Sequence, residues 1–198
     1  MIPLVLVGLQ ATVQYHVTLE GGGQGTARLT QTKRPEGGKV VRLIANLRRG
    51  NSAIEVRTES TFDKDGNPLR KVQSYGPAGR APQHEAIVTF DADGANAVVR
   101  ERGVPKVSKV PLVPKLNRAN AAETWFFSTK PKVGDVAKAW TFDPDNLEWV
   151  PTETTYVGPS KGGHLLRVMR RDRKTETVVD DKGLPIRLQD SAMTLERR

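Results

Sequence analysis

The chain has 198 residues, with 31 Lys plus Arg against 22 Asp plus Glu and a formal charge of +9 at pH 7. Apolar residues make up 37% and 18 glycines add to them, an ordinary globular balance that excludes a disordered polyelectrolyte. There is no Cys, which excludes a disulfide framework, thiolate metal sites and thiol catalysis, and the length suits one domain or at most two.

Residues 2–9, Ile-Pro-Leu-Val-Leu-Val-Gly-Leu, form the longest apolar run. It falls far short of the roughly 20 residues that a helical membrane span needs. Two readings of residues 1–11 stay open: an apolar first strand, or the remnant of a secretory signal. Leu9-Gln10-Ala11 would supply the small residue at a cleavage point, but no basic residue precedes the run. Residues 12–198 read as a single β domain.

From Thr12 onward the dominant period is two. Val13, Tyr15, Val17 and Leu19 alternate with Gln14, His16, Thr18 and Glu20. Ile54, Val56, Thr58, Ser60 and Phe62 alternate with Glu55, Arg57, Glu59 and Thr61, and Leu184, Ile186 and Leu188 repeat the pattern near the end. Such alternation marks strands with one face on a core and one in water, which favours an antiparallel sheet. Weaker strands are expected near 26–33, 39–48, 69–75, 85–91, 96–102, 136–143, 152–158, 164–170, 175–180 and 191–196. Gly-, Asn- and Asp-rich turns separate them, at Gly21-Gly22-Gly23, Gly37-Gly38, Asp65-Gly66-Asn67, Asp93-Gly94, Gly162-Gly163 and Lys182-Gly183 among others.

Two segments depart from this rhythm. Residues 104–115 carry prolines at 105, 111 and 114, which forbid a central strand and suit an extended edge, or a flap docked over the sheet opening. Lys106, Lys109 and Lys115 would guard such an edge against further pairing. Asn120-Ala121-Ala122-Glu123 then reads as a capping box that starts a short helix carrying Trp125, Phe126 and Phe127 against the sheet.

An acidic turn recurs at Asp63-Lys64-Asp65-Gly66, Asp91-Ala92-Asp93-Gly94 and Asp180-Asp181-Lys182-Gly183, with a relative at Asp143-Pro144-Asp145-Asn146. The Asp-x-Asp-Gly order opens a calcium loop, but the bidentate Glu such a loop needs at its twelfth position is Ser74 or Arg102 here. Tight hairpins held by Asp side chains on backbone N–H groups are the expectation.

No motif for catalysis stands out. His16, His84 and His164 lack metal-ligand spacing, and no cofactor or metal is expected. Asp135, Asp143, Glu148 and Glu153 lie near Trp140 and Trp149, an arrangement that would suit a sugar-cleaving groove, though their spacing does not require it. Basic residues concentrate in 100–118 and in 161–174, where Arg167, Arg170, Arg171, Arg173 and Lys174 form a candidate site for anionic membrane surfaces or glycans. Nucleic acid is disfavoured, because these stretches lack interleaved aromatics.

The order of features resembles cell-envelope proteins of the outer-membrane lipoprotein-carrier superfamily. The likeness rests on the apolar start, the many strands, Asp-x-Asp-Gly-Asn-Pro-Leu-Arg at 63–70, Pro131-Lys132-Val133-Gly134-Asp135 and Asp180-Asp181-Lys182-Gly183-Leu184-Pro185-Ile186-Arg187. It implies a strongly curved, incompletely closed antiparallel sheet whose concave face holds acyl chains, in a periplasmic or secreted protein. One evident helix, where the carriers have several, sets this chain apart. The combined expectation is an all-β open half-barrel with one short helix and a Pro-rich flap. It would act without catalysis, binding a lipid or lipoprotein ligand against Tyr15, Phe62, Trp125, Phe126, Trp140 and Trp149. An anion-binding module and a carbohydrate-active enzyme are the alternatives.

Overall fold

The computed structural model describes residues 10–111 and 122–198. Eight strands come first: β1 (Gln10–Leu19), β2 (Gln24–Lys33), β3 (Lys39–Arg49), β4 (Ser52–Phe62), β5 (Pro68–Pro77), β6 (His84–Phe90), β7 (Gly94–Glu101) and β8 (Val104–Pro111). A helix, α1 (Ala122–Thr129), precedes β9 (Val136–Asp143), β10 (Glu148–Ser160), β11 (Gly163–Arg170), β12 (Arg173–Val179), β13 (Pro185–Gln189) and β14 (Met193–Arg197). All strands join one antiparallel sheet in the order β8-β7-β6-β5-β4-β3-β2-β1-β14-β13-β12-β11-β10-β9. The chain therefore starts at the centre of the sheet and ends beside its own beginning, with β8 and β9 as the two edges. The apolar run 2–9 and the start of the expected capping box lie outside the described residues.

One face of this ribbon is continuous and buried. Register carries Tyr15 across to Ala27, Ala45, Val56, Tyr75 and His84 on one side. On the other, Val17 leads through Leu195, Leu188, Thr177 and Leu166 to Tyr156. Residues directly opposite in neighbouring strands share a face, so both rows belong to one concave surface. Its centre is a packed cluster of Tyr15, Val17, Ala27, Ala45 and Leu195, with Val13, Leu29, Leu43 and Val56 around it.

The edges do not meet by hydrogen bonding. Instead, the ribbon rolls past closure. On β9 and β10, the concave face carries Ala137, Ala139, Thr141, Val150, Thr152 and Thr154, in register with one another and alternating with the rest. Phe142 and Trp149 face each other on the opposite, convex side of that hairpin. Yet Phe142 is 3% exposed, because it packs on Val88, Ala95 and Ala97 from the concave face of β6 and β7. The β9–β10 hairpin thus tucks its turn end under the first edge, where Phe142 is buried on the convex side, while Lys138, Pro151 and Glu153 further along that side stay exposed.

Residues 104–111 of the Pro-rich stretch are the edge strand β8 itself, not a flap laid over the sheet. Pro105 and Pro111 pair with Arg100 and Gly94, positions of equal parity. Their missing N–H groups therefore fall on one side, and an edge strand has one side to spare. Helix α1 packs Phe126 on Tyr156, Leu166 and Val179. Gly66, in the β4–β5 turn, has φ +83°, and a Cβ there would lie 2.5 Å from Thr124 Cγ2 of the helix, so both conformation and space require glycine.

The acidic turns close as their chemistry demands. Asp63 Oδ1 accepts the N–H groups of Asp65 and Asn67, and Asp91, Asp143, Asp180 and Asp190 repeat the arrangement. Asp180 is also reached by Arg197, whose Nη1 donates to its Oδ2 at 2.8 Å while Nη2 donates to the Leu184 and Pro185 carbonyls. Tyr15 Oη donates to the same Pro185 oxygen at 2.8 Å, tying the central strand to the β12–β13 turn. Burial alone would raise the Asp180 carboxyl, but Arg197 and the Leu184 and Lys182 N–H groups outweigh it and hold it below the usual carboxylate range. Burial also pushes the Tyr15 phenol up to about 12, with Arg197 pulling weakly the other way.

Arg197→Met removes several charged hydrogen bonds at once and should cost about 2–3 kcal/mol in urea denaturation. The pH profile should show two arms. Asp180, Asp63 and Asp143 bind protons less readily folded than unfolded, so their contribution is complete above an unfolded pKa of about 3.9 and drains as pH falls further. Tyr15 binds its proton more tightly when folded, so its contribution is complete below about pH 10 and is lost as pH climbs toward 12. Tyr15→Phe should flatten that alkaline arm and cost about 1 kcal/mol at neutral pH.

Candidate functional site

Rolling the ribbon over itself leaves a pocket of about 200 Å³ at the overlap. Ser60, Phe62 and Lys71 come from β4 and β5, Phe90 from β6, and Trp140, Thr141, Phe142 and Trp149 from the last hairpin. Pro68 and Arg70 stand at its half-buried rim. Phe90 meets Phe142 edge-on with ring centroids 6.1 Å apart, and Trp149 sits 5.3 Å from Phe142 and 6.0 Å from Phe90. These are favourable aromatic spacings, so the wall is rigid as well as apolar.

Its polar content is unusual. Lys71 lies in register between Ser60 and Val88, which is 0% exposed, so its side chain belongs to the concave face. Among the described residues it makes no hydrogen bond or ion pair. Burial holds its ammonium pKa below the ordinary lysine value, and Arg170 adds to that, while Asp145 and Asp143 pull in the opposite direction. Trp149 Nε1 is buried with no hydrogen-bond partner.

A second cavity of about 190 Å³ lies in the lumen. Leu29, Gln31 and Val41 of β2 and β3 face Leu166, Val168, Thr177 and Leu188 across it. Register places Gln31, Val41, Ser60 and Lys71 in one row, so the two hollows are neighbours along the same inner surface. A wider, more open groove of about 530 Å³ mixes polar and apolar walls, among them His16, Asn46, Arg48, Leu47, Ile54 and Arg198.

The two layers also approach each other at the far end of β6. His84 is 3% exposed and stacks on Tyr75 at 4.7 Å. Its Nδ1 contacts Glu101, and its Nε2 lies 3.4 Å from Asp145 Oδ1 in the β9–β10 turn, without hydrogen-bond geometry. One imidazole therefore faces a carboxylate from each of the two overlapping layers.

Of the residues expected to line a ligand site, Phe62, Trp140 and Trp149 do come together at the overlap. Tyr15 does not: it is 1% exposed inside the packed centre. Phe126 and Trp125 belong to the separate helix cluster, where Phe126 lies 4.8 Å from Tyr156 and 4.7 Å from His164. Lys71 and Ser60 escaped the sequence reading. The available signal was the Arg70-Lys71 pair, since adjacent strand residues point to opposite faces and one of two consecutive cations has to turn inward.

The basic cluster is largely spoken for. Arg167 and Lys174 share Glu176, Arg171 pairs with Glu148, and Arg170 Nη2 lies 3.8 Å from Asp143 Oδ2. Arg173 is exposed. The carboxylates near the tryptophans are also engaged: Asp143 closes its own turn, Glu153 pairs with Lys138, and Asp135 accepts the Lys132 N–H.

No protein-family model matches the chain, and no curated protein matches it. A solved structure does. The crystal structure of a β-barrel-like protein of a domain of unknown function, DUF1849, from Brucella abortus aligns with a TM-score of 0.67 over 97% of this chain and 96% of that one, at 11% identity. At that identity the likeness concerns the fold, and it supports a curved all-β architecture over the full length.

Proposed function

We propose that this protein is a non-catalytic carrier or sensor that holds an apolar or amphipathic ligand inside its rolled sheet. The observation that carries the reading is the pair of apolar-walled hollows, about 200 and 190 Å³, along one inner face. Natural interiors are packed with few voids larger than a water molecule, and an apolar cavity of about 150 Å³ already accepts benzene. The resemblance to envelope carriers adds a class of ligand, acyl chains, and a place, the periplasm or exterior. An anion-binding role for the cluster at 167–174 draws less support, because Glu176, Glu148 and Asp143 already neutralise most of it.

A neutral fluorophore, N-phenyl-1-naphthylamine, tests the reading. Its emission should rise saturably with protein, with one or two sites per chain, and should not weaken in 1 M NaCl, where exposed charges are screened within about 3 Å. Ser60→Phe, which projects a ring into the overlap pocket, should weaken binding about tenfold while circular dichroism stays unchanged. Absence of any saturable signal would refute the proposal. Binding that collapses with salt would favour the basic surface instead.

A further inference from the structure

We propose that the overlap pocket receives the head of an amphipathic carboxylate, with the anion held by Lys71 and Trp149 and the apolar part lying against Phe62, Phe90 and Trp140. This inference rests on the reading above and names the chemistry of the ligand's polar end.

The argument is one of unmatched donors. Lys71 can only donate hydrogen bonds, and so can the Trp149 indole. Both line the same pocket, and neither has a hydrogen-bond partner among the described residues. Of the acidic groups that influence Lys71, Asp143 is committed to Asp145 N, Asn146 Nδ2 and Arg170, and Asp145 is exposed beside His84 and makes no ion pair with Lys71. Of the two, the Trp149 N–H is the buried one, and a buried donor without an acceptor costs free energy; Lys71 is half-buried and brings a cation to the same pocket.

The same inventory selects among ligands. A hydrocarbon would fill the volume but leave both donors unmatched. A cation would meet the Lys71 charge and the field of Arg170 behind it. A carboxylate presents two acceptor oxygens, enough for both donors, and charge-assisted bonds of this kind are among the stronger ones. The size fits as well, because about 200 Å³ takes an aryl group or the head end of an aliphatic chain, and the lumen cavity lies along the same row to receive the remainder.

Displacement of N-phenyl-1-naphthylamine at pH 7.5 provides the test, using decanoate, decanol, decyltrimethylammonium and decyl phosphate as competitors. Decanoate should displace the probe at a concentration about tenfold or more below decanol, and the ammonium should be weakest. Lys71→Met keeps the side-chain volume and removes the charge, so it should erase the decanoate advantage while decanol binds as well as before or better. Its melting temperature should not fall, since a half-buried cation that makes no ion pair among the described residues is replaced by an apolar chain. Trp149→Phe, which keeps an aromatic wall, should reduce the same advantage several-fold. If decanol and decanoate bind equally in the wild type, the carboxylate inference is wrong and the apolar reading stands. If decyl phosphate outcompetes decanoate, the anion assignment moves to phosphate and the carboxylate claim is overturned. If no competitor displaces a probe that binds, the pocket is not the binding site and the inference fails. If the probe itself does not bind, the functional reading fails before it.

Discussion

A long antiparallel ribbon has two edges, and the way this one disposes of them sets the rest of the structure. Closing β8 onto β9 would make a barrel with no exposed edge. This chain overlaps its ends instead, burying Phe142 and Trp149 from the convex side of one hairpin against Val88, Ala95 and Ala97 on the concave side of another. Small residues on β7 make the overlap possible: Ala95 and Ala97 leave room for two large rings where longer side chains would hold the layers apart. The contact is hydrophobic and lacks the directional ladder that would fix register, and at the far end of β6 Asp145 of the hairpin comes within 3.4 Å of His84. The Phe142 end of β9 is thereby covered without pairing to β8. β8 remains the outer edge, with Lys106 and Lys109 beside its prolines as the usual deterrents to further strand addition.

Overlap also explains why the interior is uneven. Where β1, β2, β3 and β14 face inward, the ribbon meets only its own concave surface, and Tyr15, Val17 and Leu195 pack to below 5% exposure. The polar contacts there are paired, as Tyr15 and Arg197 on the Pro185 carbonyl show. Where the layers slide past each other, a face shaped for water is pressed onto one shaped for a core. The join leaves the Trp149 N–H buried without a partner, beside the half-buried Lys71. A lone donor is expensive to bury, so the coincidence of the Trp149 N–H and a neighbouring cation with a hollow carries more weight than the hollow alone.

Much of the fold was legible because the forces that make it are local. Period-two runs such as Val13 to Leu19 and Ile54 to Phe62 gave strands with the correct inward face. Asp63, Asp91 and Asp180 announced their turns through side-chain acceptors that act within four residues. Prolines at 105 and 111 excluded a central strand but did not tell an edge from the expected flap, and the chain uses them at the edge. What could not be read is the roll. Nothing in Phe142 or Trp149 says that a convex face will be covered, because alternation assigns each residue a side of its own strand and is silent on which distant layer arrives there. The same ignorance misplaced Tyr15 among ligand contacts, although its strand was right: a concave position is lumen in one part of the roll and solid core in another.

That distinction decides where a guest can go. In a closed small barrel the lumen is filled by its own side chains, and room for a ligand has to be made by shortening them. A rolled sheet gains a second kind of space, the wedge between layers, whose width depends on how far one end slides under the other. Here the wedge is bounded by rigid aromatics on the hairpin side and by Ser60 and Lys71 on the sheet side. The hairpin is held to the outer layer chiefly by ring and apolar contacts, with no backbone ladder between the two. Side-chain packing of this sort can yield locally without breaking the sheet's hydrogen bonds, whereas the packed centre around Tyr15 cannot. A ligand therefore meets its lowest cost of entry at the overlap, where the wall can give and where unmatched donors reward an acceptor.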